Sequence, residues 1–438
     1  MFSKILIANR GEIAVRIIRA CKDMGISTVA VYSSADAESI HAALADECIC
    51  IGPAPAGESY LNQQNIISAA LLTGAQAIHP GYGFLSENAD FARLCQKHGI
   101  VFIGPSGDII AKMGDKDAAR RMMRDAGVPV VPGCDLVSTV AEAQREGARI
   151  GYPLLIKARS GGGGKGIRLV ESADDLEHSF FAASEEALQA FGDGSIYMEK
   201  YLSPVKHVEM QMLADEKGNI VCLGERECSI QMHHQKLLEE SPSPAMTPEL
   251  RGRMMDAAMK AMKAAHYVNA GTVEFLLDKE KNFYFMEVNT RLQVEHPVTE
   301  QVADIDLAQW QIRIAAGVPL DFKQEDIRLN GASIECRINA KGAGRVPFLH
   351  IPGGPQVRFD TGLYQGCEIP HYYDSLIGKL IVHAKTRKDA IRKMKSALCE
   401  LVIDGVPNNI EDQIDIVSDP SFQKGDYDTD FMAKWGED

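Results

Sequence analysis

The sequence predicts a mixed chain: a doubly wound α/β domain with a parallel sheet in roughly its first hundred residues, then a compact α+β unit. Three features carry this reading. Strand-like and helical patterns alternate from Lys4 to Ile103. A compact α+β pattern begins near Tyr152 and contains four consecutive glycines, Gly161 to Gly164. Gly271 to Asn289 reads as a hairpin that leads into a row of polar side chains.

In the first part, Lys4-Ile-Leu-Ile-Ala8 is an apolar strand, and Glu12 to Met24 has helical apolar spacing. Ser27–Tyr32, Ala77–His79 and Ile100–Ile103 are further strands, and strands alternating with helices build parallel sheets. The turn Ala8-Asn-Arg-Gly-Glu12 lacks the Gly-x-Gly-x-x-Gly spacing of dinucleotide sites, so NAD binding is disfavoured. The run His79-Pro-Gly-Tyr-Gly-Phe-Leu-Ser-Glu87 follows a strand end. It is either an ordinary turn or a substrate loop, since ligands of such sheets bind at strand ends. Asp108 to Ala126 reads as one helical stretch carrying Lys116.

Tyr152-Pro-Leu-Leu-Ile-Lys157 is the next strand, and Ser160 to Gly166 follows it. A glycine run is costly to order, so it is either a flexible hairpin tip or a mobile flap. A flap would close bare N–H groups over phosphates, with Lys165 adding charge. It is not a P-loop, because the Gly-x-x-x-x-Gly-Lys-Ser/Thr spacing is absent. Ile196–Leu202 is a core strand or a nucleotide-contacting segment, and His207–Gln211 opens another strand. The run Glu225–Leu238 then collects Gln231, His233, His234 and Lys236. Adjacent histidines point to opposite faces of a strand and no third ligand has helical spacing, so phosphate contact is preferred to zinc.

In Glu287 to Pro297, period-two alternation puts Val288, Thr290, Leu292 and Val294 on one side. Glu287, Asn289, Arg291, Gln293 and Glu295 fall on the other. If Asp278 pairs with Phe283, Glu274 lies opposite Glu287 on the same face. Carboxylates that share a face repel unless a cation sits between them. An all-oxygen set suits Mg²⁺ bound with phosphates better than Zn²⁺ or a Ca²⁺ cage. A salt-bridged surface ladder is the structural alternative.

The 438 residues suffice for about two or three domains with a substantial core. A formal charge of −14 argues against general nucleic-acid binding and against an anionic membrane surface. The ten cysteines show no zinc-type pairing and read as reduced thiols. The N-terminal apolar run is too short for a signal peptide and no later run spans a bilayer. A soluble cytoplasmic protein is the expectation.

Several motifs together resemble biotin carboxylase, the ATP-grasp component of biotin-dependent carboxylases. They are Ala8-Asn-Arg-Gly-Glu-Ile-Ala14, His79 to Asn88, Met113-Gly-Asp-Lys116, the glycine run and Met198-Glu-Lys-Tyr-Leu202. Asn289 to Glu300, Glu335-Cys-Arg-Ile-Asn339 and Tyr372-Tyr-Asp-Ser375 complete the set, so the resemblance extends over essentially the whole chain. It implies an N-terminal domain over 1–113 and an ATP-grasp domain over 114–322 with a hinged lid at about 131–203. A C-terminal domain would cover 323–438.

The resemblance also implies roles. ATP phosphorylates bicarbonate, and the resulting carboxyphosphate delivers CO₂ to biotin. Lys116, Lys157, His207, Gln231, His234 and the segment Glu199, Lys200, Tyr201, Leu202 would hold ATP, with Gly163 and Gly164 over its phosphates. Glu274, Glu287 and Asn289 would hold Mg²⁺, with Mn²⁺ as an alternative, and the two carboxylates would also belong to the ATP site. Arg291, the Val294 backbone and Lys236 would bind bicarbonate. Glu295 would be the general base, and Arg337 would stabilise the oxygen of deprotonated biotin. Tyr82, Gly83 and Gln293 would also contact biotin.

Two departures from the family pattern stand out. Met232 and His233 replace two arginines, and Lys341-Gly-Ala-Gly-Arg-Val-Pro347 shortens a loop. After Ile381 the pattern is one helix, Arg387 to Leu401, and a short tail without a biotin-attachment segment. The implied substrate is biotin on a separate biotin carboxyl carrier protein, with carboxyltransferase subunits as further partners and a homodimer as the assembly. That favours a multi-subunit acetyl-CoA carboxylase. The alternatives are a split pyruvate or other acyl-CoA carboxylase, an ATP-grasp ligase for a different acid and amine, and a subunit that binds ATP or a carrier without turnover.

Overall fold

The computed structural model describes residues 1–159, 167–233 and 235–435. Its N-terminal part is a five-stranded sheet in the order Glu47–Gly52, Ser27–Ser33, Lys4–Ile7, Ala77–His79, Val101–Phe102. Every neighbouring pair is parallel. The central strand has Ile5, Leu6 and Ile7 fully buried, as a strand covered on both faces requires. The helix Gly11–Asp23 covers one face. Its Ile13, Ile17 and Cys21 share a core with Leu307, Trp310 and Ile312 from the body, so the sheet is docked rather than free-standing. The order reverses between Lys4–Ile7 and Ala77–His79, which places the loops starting at Ala8 and Pro80 at the switch point where such sheets bind ligands. The edge strand Glu47–Gly52 escapes sequence reading because half of it is exposed and only Ile51 is buried.

The body is one eight-stranded antiparallel sheet. Its order is Phe283–Asn289, Asn269–Leu277, Lys206–Ala214, Ile220–Met232, Gln235–Ser241, Ala332–Asn339, Leu376–Ala384, Val357–Thr361. The strand carrying Arg337 therefore belongs to the same sheet as the one carrying Glu274. The helix Pro248–Ala265 packs a methionine-rich face (Met254, Met262) on Met210 and Met212. A smaller three-stranded sheet, Ile167–Val170, Leu154–Ala158 and Ile196–Lys200, is flanked by the helices Val140–Ile150 and Leu176–Phe191. It has a core of its own around Leu154, Ile156, Leu176 and Met198.

Four expectations need correction. The stretch 108–126 is two helices, Gly107–Gly114 and Lys116–Asp125, because Asp115 accepts from Ala118 N at 3.0 Å and caps the second. Asp278 does not pair with Phe283; Leu277 does. A β-bulge at Met286 then restores Glu274 opposite Glu287. The extended segment stops at Asn289, and 290–294 is irregular before the helix His296–Ala303. The chain end is also more than a tail. The helices Ile410–Ser418 and Pro420–Lys424 and a 3₁₀ turn Phe431–Trp435 follow the helix Arg387–Glu400. Among the described residues no helix is long and apolar enough to cross a membrane.

Candidate active site

A cleft of about 1450 Å³ lies between the N-terminal loops, the small sheet and the long sheet. The predicted residues Tyr82, Gly83, Lys116, Lys157, Glu199, Lys200, Tyr201, Leu202, His207 and Gln231 line it. So do Lys236, Glu274, Glu287, Asn289, Arg291, Gln293, Val294, Glu295 and Arg337. Gly163, Gly164 and His234 lie outside the described residues. His233 is not on a strand: it sits at the turn of the hairpin Ile220–Met232/Gln235–Ser241 with φ of 51°.

Glu295 is the centre of the charge network. It caps the helix His296–Ala303 by position and is almost fully buried. Lys236 Nζ lies 2.6 Å from Glu295, 2.7 Å from Glu209 and 3.1 Å from Glu274. Arg337 Nη2 donates to Glu295 at 2.9 Å, and its Nε donates to Glu239 at 2.6 Å. Burial alone would raise the Glu295 carboxyl, but Lys236, Arg337 and Arg226 outweigh burial and the repulsion of Glu209, bringing it down to about 2. Beneath this layer Arg226, fully buried, donates to Glu209, Gln211, Thr272, Gln293 and Thr299. Two groups, His207/Glu209/Glu274 and Glu209/Cys228/Glu295, have metal-ligating atoms close together. Lys236 and Arg226 already neutralise them.

Glu274 also receives Asn289 Nδ2 and Gln293 Nε2, each at 2.7 Å, and lies 2.8 Å from His207 Nε2. Burial opposes its ionisation, yet Lys236 and His207 hold it well below the usual carboxylate range, and Glu274 in turn raises His207. Glu287, directly opposite, behaves inversely. Burial and the Glu274 charge push it up, and Lys116 at 3.7 Å opposes this. Glu287, short of positive charge and facing Glu274, leaves a pair of carboxylate oxygens that fits a hard divalent cation. Asn289 is less available than its position suggests, because its Oδ1 accepts from Arg291 Nη2 at 3.0 Å.

Arg291 donates through Nε to Glu87 at 2.9 Å and through Nη1 to the Leu292 carbonyl at 3.3 Å. A guanidinium has five N–H donors, so these contacts and the one to Asn289 leave two for an anion. At the small three-stranded sheet, Lys157 Nζ meets Glu199 at 2.5 Å, and Arg120 approaches the same carboxylate at 3.4 Å. Lys200 instead donates to the carbonyls of Gly151 and Tyr152, which ties it to the backbone just before the strand Leu154–Ala158. Gln231 Nε2 is 2.8 Å from His207 Nδ1 and donates to the Cys228 carbonyl at 2.7 Å. The amide of Gln293 is engaged by Arg226, Glu274 and Glu209. The Tyr82 hydroxyl donates to Glu12, so only its ring faces the cleft.

Sequence reading missed Glu87, Glu209, Arg226, Glu239 and Lys379, as well as Thr429 to Trp435, whose Thr429, Asp430, Met432, Ala433 and Trp435 form part of the wall. Two signals were available. Glu209 falls on the same alternation as His207 and Gln211, and Lys379 is a lone charge within the apolar strand Leu376–Ala384. The arrangement can bind anions on several cations, hold a divalent ion on two carboxylates and move a proton through Glu295.

Comparison with known proteins places the chain. Residues 1–110 match the biotin carboxylase N-terminal domain, 115–323 the ATP binding domain of carbamoyl-phosphate synthase L chain, and 335–434 the biotin carboxylase C-terminal domain. Biotin carboxylase 1 of Bacillus subtilis is 52% identical over 445 residues, covering 99% of each chain. A pyruvate carboxylase subunit of Methanothermobacter thermautotrophicus is 49% identical over 444 residues, 99% of this chain and 90% of that one. A crystal structure of the biotin carboxylase domain dimer of Hydrogenobacter thermophilus 2-oxoglutarate carboxylase, with MgADP, ADP and bicarbonate, superposes with a TM-score of 0.94. It is 48% identical and is matched over 99% of this chain and 98% of that one.

Proposed function

The chain belongs to the biotin carboxylase family of ATP-dependent ligases, and from that premise we propose that it carboxylates biotin on a separate carrier protein, as the first half-reaction of acetyl-CoA carboxylase. The observation that carries the mechanism is Glu295 held between Lys236 and Arg337.

A carboxyl held at about 2 is a poor base. Bicarbonate on Lys236 and Arg291, and biotin on Arg337, would draw both cations away from Glu295 and raise its basicity only when the substrates are in place. Glu295 then takes the bicarbonate proton. A bicarbonate oxygen bonds to the γ-phosphorus of ATP as the bond to ADP breaks, giving carboxyphosphate. Loss of CO₂ from carboxyphosphate leaves phosphate, which removes the biotin N–H proton, and the freed nitrogen bonds to CO₂. Arg337 stabilises the negative ureido oxygen that forms on the way. Lys116, Lys157, His207 and the 199–202 segment would hold ATP, with Glu199 setting Lys157. Glu274 and Glu287 would hold Mg²⁺, or Mn²⁺ in its place, which neutralises charge on the phosphates.

The pyruvate carboxylase relative and the 2-oxoglutarate carboxylase domain favour a second reading of the pathway, since this half-reaction serves any of these acceptors. Carboxyltransferase subunits as partners, a homodimer like that of the 2-oxoglutarate carboxylase domain, and a cytoplasmic location complete the proposal.

The test is ATP hydrolysis by the purified chain with Mg²⁺ and bicarbonate, with and without free biotin. The proposal expects stimulation by biotin that disappears in Arg337→Ala and in Glu295→Ala. Nucleotide binding without biotin-stimulated turnover would overturn it. The pair Met232→Arg with His233→Arg would then show whether the replaced arginines are the cause.

A further inference from the structure

The turn Gln293-Val294-Glu295 carries the bicarbonate-binding backbone and the base, yet it lies in irregular chain where no sheet ladder fixes its peptides. Two buried donors do so instead. His296 Nδ1 lies 2.8 Å from the Gln293 carbonyl, which the His296 N–H also reaches at 3.3 Å. A carbonyl only accepts, so Nδ1 carries the proton. Lys379 Nζ donates to the next carbonyl, that of Val294, at 2.9 Å. Both side chains are 0% exposed.

In a trans peptide the C=O and the following N–H point in opposite directions. Holding the Gln293 and Val294 carbonyls in the interior therefore turns the N–H groups of Val294 and Glu295 the other way, toward the cleft that Val294 and Glu295 line. We propose that Lys379 and His296 are positioning residues of the bicarbonate site, acting by setting these two peptides. The inference rests on the carboxylase reading above. Lys379 also links three parts of the molecule. It stands on the strand Leu376–Ala384 opposite Arg337, lies 3.2 Å from Glu12 on the helix Gly11–Asp23, and holds the turn. Glu12 in turn receives the Tyr82 hydroxyl, so the loop beside the biotin-binding end and the bicarbonate turn share one buried carboxyl.

The experiment compares Michaelis constants for bicarbonate and for ATP in bicarbonate-dependent ATP hydrolysis. Glu12→Gln with Lys379→Met removes both charges of this pair, so neither is left facing the other's empty place. The expected result is a bicarbonate KM raised about tenfold with the ATP KM within about twofold of the parent. An unchanged bicarbonate KM, or both constants rising together, would overturn the proposal. If the double variant does not fold, a second pair decides. His296→Asn keeps an N–H near the Nδ1 position and should retain the bicarbonate KM, whereas His296→Leu should raise it; equal values for the two would overturn the proposal. A parent protein without bicarbonate-dependent hydrolysis is a different result, and it removes the carboxylase reading together with this one.

Discussion

Lys236→Met removes the ammonium that Glu295 shares with Glu209 and Glu274. The ammonium sits within 3.1 Å of three carboxylates, none more than 4% exposed. With Arg337 and Arg226 it holds the Glu295 carboxyl at about 2 instead of 4.5, against the effect of burial. A shift of that size corresponds to roughly 3 kcal/mol, and breaking one side of a buried charge cluster has a typical effect of about 3–5 kcal/mol. We expect a loss of about 3–5 kcal/mol near neutral pH, measured by urea unfolding with circular dichroism and tryptophan fluorescence. The sign with pH follows from the direction of the shift. A carboxyl depressed in the folded state contributes stability that is present above its unfolded value of 4.5 and lost as pH falls toward 2. The gap between parent and variant should therefore be widest at neutral pH and narrow on acidification below 4.5. A loss under about 1 kcal/mol, or a gap that does not change with pH, would refute this account of what holds Glu295.

Other substitutions test neighbouring parts of the account. Glu335 is buried directly opposite Glu239, neither of its oxygens has a partner among the described residues, and burial pushes it well above 4.5. Because the unfolded chain releases this proton first, the protein loses stability as pH rises above 4.5. Glu335→Gln should therefore unfold at equal or higher urea, with a gain that grows toward alkaline pH; a destabilisation at every pH would contradict this. Glu287→Gln should raise the Mg²⁺ concentration for half-maximal activity at least about tenfold while leaving metal-free stability unchanged or higher, since burial and Glu274 already disfavour its charge. An unaltered Mg²⁺ requirement would remove Glu287 from the metal site.

Much of this site was legible because polar residues recur inside apolar runs. The alternation after Phe283 picked out Glu287, Asn289, Arg291, Gln293 and Glu295, all of which line the cleft. The reason was only partly the one inferred. The strand ends at Asn289, and the last three reach the cleft through a turn and a helix start. Glu274 faces Glu287 through a bulge at Met286, which a regular hairpin pattern does not reveal. The partners of these groups were illegible for a different reason. Glu87, Arg226 and Lys379 are distant in sequence from what they touch, and only the sheet order brings Lys379 beside Arg337 and under Val294. The N-terminal sheet was easier, because its strands are short, apolar and separated by helices. Its exposed edge strand carried no such signal.

The central claim is that Lys236, Arg291 and Glu295 present a bicarbonate oxygen to the γ-phosphate of ATP. The direct measurement is turnover with ¹⁸O-labelled bicarbonate and analysis of the released phosphate. The account predicts that one bicarbonate oxygen remains on each phosphate, since the oxygen that bonds to phosphorus stays there when carboxyphosphate loses CO₂. Phosphate free of label, with its new oxygen drawn from water, would contradict it.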